Sequence, residues 1–191
     1  MAGTGEQITY REMDEAANRF AQLLRARGFQ PDDAFAVLLE NRIEYFTLIW
    51  GSQRAGTMLV PISSRLTAPE AAYIIRDAQA TLLITSGYFT EILGDIRKEC
   101  PGLEVLMMDS GDAENFAAAL AAQPTTPIPD QRAGMVMLYS SGTTGRPKGI
   151  RPAPPEDPDP MAPVPLLGLA TMGAGMPADG TMVYLSPAPL Y

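Results

Sequence analysis

The sequence predicts an α/β fold: a largely parallel, twisted sheet with helices on both faces. Three observations predict it. Short apolar runs alternate with segments of helical periodicity. Several of those segments open on capping residues. A Gly- and hydroxyl-rich loop then follows a further apolar run near residue 140.

The first helix opens on Thr9 and Glu12, a capping-box pair. Tyr10, Met13, Ala17, Phe20 and Leu24 recur at helical spacing, and Gly28 with Pro31 ends the run. Residues 34–39 form a continuous apolar run, as expected of a strand buried on both faces. Asn41 and Glu44 repeat the cap signal before a helix expected over 42–55 and stopped by Gly56. A strand over 57–62 carries Pro61, which should lie near its end. Thr67, Pro69 and Glu70 make another capping box with proline in the first turn, and this helix should reach Ala78. Then come a strand over 81–85, a helix over 89–98, a strand over 104–108 and an Ala-rich helix over 113–122. Residues 123–131 carry three prolines and read as a connection. Residues 135–139 read as a strand that delivers the loop. Strands separated by capped helices imply right-handed βαβ crossovers.

Composition narrows the function. A net charge of −8 over 191 residues disfavours nucleic acid and anionic membranes as partners. One cysteine, Cys100, rules out an internal disulfide framework and suits a reducing compartment. No histidine is present, so a His-based triad or zinc site is ruled out. No secretory signal pattern and no run long enough to span a bilayer is found, so a soluble, cytoplasmic protein is expected, without an integral membrane part. Phe20, Phe46, Trp50, Met107 and Met108 are expected in the core. Asp14, Glu15, Glu40 and Glu44 show no partner constellation in sequence and are expected to cap helices or face solvent. Cys100, between Glu99 and Pro101, shows no cationic neighbourhood and is read as structural.

The chemistry concentrates in Tyr139-Ser140-Ser141-Gly142-Thr143-Thr144-Gly145-Arg146-Pro147-Lys148-Gly149. Glycines let backbone N–H groups approach an anion. The hydroxyls of Ser140, Ser141, Thr143 and Thr144 can donate to phosphate oxygens, and Lys148 adds a compact positive charge. The whole protein is acidic, so attraction for a polyphosphate must be local, from Lys148, Arg146 and Arg151. A Walker A loop would need Gly-Lys-Ser/Thr opening a helix. Pro147 and Gly149 flank the lysine instead, which places Lys148 on a mobile loop. A Gly/Ser/Thr-rich surface turn is the alternative reading.

The loop resembles the phosphate loop of the adenylate-forming enzymes, the acyl-CoA synthetase and luciferase family, whose pattern is Tyr-(Thr/Ser)-Ser-Gly-(Thr/Ser)-Thr-Gly-x-Pro-Lys-Gly. Ser140 and Arg146 are mild departures. The opening helix, the run after Ala34, Arg54-Ala55-Gly56 through Val60-Pro61-Ile62, Ser64-Arg65-Leu66-Thr67 and the closing Met182-Val183-Tyr184-Leu185-Ser186-Pro187-Ala188-Pro189-Leu190-Tyr191 resemble the same family. The resemblance implies ATP and Mg²⁺, a carboxylic acid such as a fatty acid, and coenzyme A, or a carrier-protein thiol, as acceptor. It implies that Ser140, Ser141, Gly142, Thr143, Thr144, Gly145 and Lys148 bind the nucleotide's phosphates. No catalytic residue and no metal ligand is assigned within the chain. Residues 1–191 are read as the N-terminal part of the AMP-binding domain, with the rest of the large domain and the small lid domain absent. The expected consequence is an N-terminal portion that is inactive alone and open to self-association through uncovered apolar surface. A non-catalytic nucleotide-binding or dimerisation module is the alternative. Residues 152–165 carry seven prolines where the family continues differently. They read as an extended solvated loop or as a flap beside the phosphate loop.

Overall fold

A computed structural model describes residues 5–109, 113–140, 146–153, 155–162 and 173. Helix α1 spans Tyr10–Ala26 and opens on the complete capping box, with Thr9 Oγ1 accepting from Glu12 N and Glu12 accepting from Thr9 N. Strand β1, Ala34–Leu38, is buried at every position. Helix α2, Glu44–Ala55, ends on Gly56 at φ 69°, the left-handed conformation that glycine adopts without strain. Its N-cap is Ile43, with no side-chain cap bond, so the helix begins two residues later than the Asn41 signal predicts. Strand β2, Met58–Pro61, places Pro61 at its last position. Helix α3, Ala68–Asp77, opens on the second capping box, Thr67 with Glu70. Strand β3 is Leu82–Thr85, and a 3₁₀ turn over Gly87–Phe89 leads into helix α4, Thr90–Glu99. Strand β4 is Glu104–Met107.

The segment expected to be one helix over 113–122 divides. Glu114–Asn115 pairs with β4 as a short strand, β5, and helix α5 is only Phe116–Ala121. Asn115 Oδ1 accepts from Ala118 N and caps it, so the helix cannot begin earlier. The apolar run at 135–139 divides too. Met135–Val136 is strand β6, and Leu138–Ser140 is strand β7 in a separate hairpin with β8, Lys148–Ile150.

Strands β1 to β6 form one parallel sheet in the order β5-β4-β3-β1-β2-β6. Side chains alternate into two cores. Ala36, Leu38, Val60, Leu83 and Met107 meet the apolar side of α3 and α4. Phe35, Val37, Leu59, Ile84 and Leu106 meet α1, α2 and α5. The sheet is therefore doubly wound, as the alternating pattern predicts. The expected core members Phe20, Met107 and Met108 are buried. Trp50 is not. It is 41% exposed, because α2 turns Tyr45, Leu48 and Ala55 toward the sheet instead.

Close approach is set by two glycines. Helices α1 and α2 touch at Gly51, where a Cβ would lie 2.6 Å from Phe20 Cδ1 and 2.9 Å from the Ala17 carbonyl. At Gly134 a Cβ would lie 2.3 Å from the Ser52 carbonyl oxygen. That contact lets Gly134 N donate to Gln53 O and Met135 N to Thr57 O, which seats β6 against β2. Replacing Gly51 with Ala should lower unfolding stability by about 1–3 kcal/mol through overpacking, read as a shift of the urea midpoint with unchanged slope.

Candidate functional site

Strand β6 leaves the sheet at Met137, whose N–H still donates to Leu59 O at 2.9 Å. The chain then turns onto α3 as the β7–β8 hairpin. Its antiparallel register sets Leu138 opposite Ile150, Tyr139 opposite Gly149 and Ser140 opposite Lys148. Because side chains alternate across a strand, Ser140 and Lys148 share one face with Leu138 and Ile150. That face looks outward: Leu138 is 55% exposed and Ile150 61%, and Ser140 and Lys148 are exposed beside them. Tyr139 and Gly149 take the inner face.

Of the sequence-derived phosphate ligands, Ser140 and Lys148 are thus placed as cross-strand neighbours, a hydroxyl donor beside an ammonium. Ser141, Gly142, Thr143, Thr144 and Gly145 lie outside the described residues, between the two strands of this hairpin. Lys148 is the first residue of β8 and not part of a free loop, which corrects the expectation from its Pro and Gly neighbours. Extended backbone is what proline favours in the residue before it, and β8 begins one residue after Pro147.

Gly149 has a steric reason. A Cβ there would lie 2.3 Å from Met137 Cε and 2.8 Å from Tyr139 Cζ. Its absence lets the Tyr139 ring lie across the opposite strand. The Tyr139 hydroxyl donates to Asp77 Oδ2 at 2.6 Å, and burial together with this carboxylate pushes its pKa up. The two arginines credited with local attraction are partly engaged. The Arg146 guanidinium stands 5.6 Å from the centre of the Tyr73 ring, and Arg151 Nη2 donates to Asp32 O at 3.3 Å.

A second polar cluster sits where the sheet reverses its winding. The chain passes from β1 to β2 on one side and then to β3 on the other, so the carboxyl ends of β1 and β3 flank the switch point. Arg42 fills that place. It pairs with Glu40 at 3.0 Å, Glu44 at 3.3 Å and Asp109 at 3.1 Å. Ser86 Oγ donates to Glu40 Oε2 at 2.5 Å, and Gly87 N to Asp109 Oδ2 at 3.0 Å. Burial works against the Arg42 charge, but the bonds from Glu44, Asp109 and Glu40 outweigh it and raise its pKa. Glu40 and Glu44 therefore do have a constellation, contrary to the sequence expectation. Asp14 also has a partner, Arg54, at 2.7 Å. The signal available in sequence was position: charged residues directly after strands β1 and β4. These groups satisfy one another at the switch point.

Cys100 is buried, with Sγ donating to Ala72 O at 3.6 Å. Burial raises its pKa despite nearby Arg76, so the cation missing from the sequence reading is present but outweighed. Among the described residues no group of three or more His, Cys, Asp or Glu is arranged to hold a metal ion. No helix of the described residues is long and apolar enough to cross a membrane. The described residues of 152–162 form neither helix nor strand. They are tied down where Ala133 N donates to Pro158 O at 2.7 Å, at the entry to β6.

A doubly wound parallel sheet that hands a Gly-, hydroxyl- and Lys-bearing hairpin to its flanking helix defines an α/β domain of the adenylate-forming ligase type. Residues 1–151 match the AMP-binding enzyme family, and the chain belongs to that family. It is 34% identical over 152 residues to a fatty acid–[acyl-carrier-protein] ligase of Streptomyces coeruleorubidus. It is 32% identical over 150 residues to the long-chain-fatty-acid–CoA ligase FadD13 of Mycobacterium tuberculosis. The matches cover 76% and 77% of this chain but only 28% and 30% of those proteins. The chain therefore spans under a third of the curated relatives it matches. Among solved structures, the anthranilate CoA ligase AuaEII in complex with anthranoyl-AMP superimposes with a TM-score of 0.70 at 30% identity, covering 77% of this chain and 30% of that one. A Mycobacterium tuberculosis fatty acyl CoA synthetase gives 0.64 at 27%, covering 78% and 30%.

Two outcomes follow from this geometry. Gly149→Ala should displace the Tyr139 ring and cost about 1–3 kcal/mol, seen as a lower urea midpoint. The Asp109 carboxyl is held below its ordinary value, first by the Gly87 N–H and then by Arg42. A depressed carboxylate stabilises the fold above its unfolded pKa, and that contribution disappears as pH falls through the folded one. Asp109→Asn should therefore be less stable than the parent at pH 7, with the gap closing below about pH 4. A gap that does not begin to narrow as pH falls below about 4 in acid titrations of unfolding would count against this.

Proposed function

We propose that the β7–β8 hairpin grips the phosphate tail of ATP, with Ser140, Ser141, Gly142, Thr143, Thr144, Gly145 and Lys148 as its ligands. The chain would then supply the N-terminal part of the large domain of an acid–thiol ligase. The observation that carries this reading is the outward-facing Ser140–Lys148 pair at the mouth of the hydroxyl- and glycine-rich segment. A hydroxyl donor and an ammonium side by side on an exposed strand pair offer two donors to a polyanion.

In the reaction expected of such a ligase, a carboxylate oxygen attacks the α-phosphorus of ATP. A bond forms there, the bond to the β-phosphate oxygen breaks, and pyrophosphate leaves with the electron pair. A thiol sulfur then attacks the acyl carbon of the mixed anhydride, loses its proton to solvent or a base, and displaces AMP. The hairpin's part is electrostatic. It holds charge on the β- and γ-phosphates while the leaving group separates. ATP would bring Mg²⁺ as its own companion ion, liganded outside the described residues. A fatty acid is the acyl substrate we favour, because both of the curated relatives described above are fatty-acid ligases. Those two differ in acceptor, carrier protein in one and coenzyme A in the other, and coenzyme A is the acceptor we favour. A cytoplasmic setting agrees with these substrates.

Since the chain spans under a third of those relatives, we expect it to bind nucleotide weakly and to turn over no acid alone. Lys148 is exposed, so Lys148→Ala should leave the fold intact. It should weaken MgATP binding by about tenfold, the loss of one charge-assisted hydrogen bond, in calorimetric titrations at low salt. Equal affinity of the two proteins would overturn the assignment, and pyrophosphate release from ATP and a fatty acid by residues 1–191 would overturn the expectation of inactivity.

A further inference from the structure

We infer that Tyr73 and Asp77, one turn apart on α3, are positioning residues that clamp the two arms of the phosphate hairpin. The inference rests on the triphosphate reading above and adds what aims the hairpin. Residues four apart on a helix project from the same face. On α3 that face presents Tyr73 and Asp77, with Pro69 one turn earlier.

Asp77 holds the first arm by accepting from the Tyr139 hydroxyl, at 2.6 Å. Tyr73 holds the second through its ring, over which the Arg146 guanidinium lies at 5.6 Å, within cation–π range. Tyr139 stands just before Ser140, and Arg146 stands two residues before Lys148. Each anchor is therefore next to one end of the hydroxyl-bearing segment. The contacts are of different kinds, a short hydrogen bond and a charge on a ring, and both come from a single helical turn.

The groove beside the second anchor shows why the guanidinium settles there. It is lined by Pro69, Glu70, Tyr73, Arg76, Glu99 and Arg146, with Pro147 at its end. Arg76 is committed to Glu99 at 2.9 Å, and Glu70 to the capping box with Thr67. The Tyr73 ring is what this groove offers Arg146. Placed there, Arg146 serves as a strut and not as a phosphate ligand, which leaves Lys148 as the charge on the outward face.

The test uses residues 1–191 with two readouts. Trypsin cleavage at Lys148–Gly149 reports opening of the second arm without any ligand. Titration with MgATP reports the site. Losing an exposed cation–π contact should speed cleavage by about three- to fivefold and weaken MgATP binding by a similar factor. Tyr73→Leu and Arg146→Gln should each do this, and the double variant should do no more than either alone. Tyr73→Phe keeps the ring and should retain parent values in both assays; it keeps the packing as well, so the non-additivity of Tyr73→Leu with Arg146→Gln is what separates the ring–guanidinium contact from packing. Arg146 is exposed, so Arg146→Gln decides the matter if Tyr73→Leu disturbs α3. Unchanged cleavage in Arg146→Gln, or failure of Tyr73→Phe to restore it, would overturn the clamp. If the parent shows no MgATP binding, the triphosphate reading fails while the cleavage arm still decides the clamp.

Discussion

A strand with neighbours on both edges and helices over both faces meets no water anywhere. Strand β1 is in that position, between β3 and β2, and all five of its residues are buried. Every polar group of its backbone must then be paired within the sheet, and every side chain must suit one of two cores. Phe35 and Val37 belong to the core under α1 and α2, and Ala36 and Leu38 to the core under α3 and α4. A slip of one residue in β1 would exchange these sets and spoil both packings at once. The registers of β2 and β3 are read off β1, and β6 is read off β2 in turn. The β7–β8 hairpin inherits its place from that chain of registers.

Much of this was legible because it is local. The Thr9–Glu12 and Thr67–Glu70 boxes announce their helices within four residues, and both form as written. The apolar run after Ala34 marks the central strand because burial on two faces leaves no room for alternation. What escaped is non-local. Strand β5 is two residues long and exists only because β4 lies alongside it. The division at Met137 depends on where β2 ends as a partner. Asn41 carries a capping side chain, yet the helix starts later, at Glu44, and Arg42 is drawn into a cluster with Glu40, Glu44 and Asp109.

The candidate site divides in the same way. Its residue types could be listed from sequence, because glycines, hydroxyls and a lysine stand together in one short run. Its support could not. Asp77 and Tyr139 are 62 residues apart, and Glu40 and Ser86 are 46 apart. Only the folded order of strands brings such pairs together. Gly149 belongs to both kinds. In sequence it belongs to the Gly- and hydroxyl-rich motif, but its steric reason includes an aromatic ring on the opposite strand.

The two helical layers carry different duties. The layer of α1, α2 and α5 covers the other face of the sheet and touches the hairpin's approach only where α2 seats β6, whereas α3 bears the hairpin directly. Damage to α1 would shrink the folded population without bending the geometry around Ser140 in the molecules that remain folded. A shift of α3 by a fraction of an ångström would do the reverse, leaving a sturdy protein whose hairpin points the wrong way. Changes on one side of this sheet should therefore show in how much protein folds, and changes on the other in where the hairpin points.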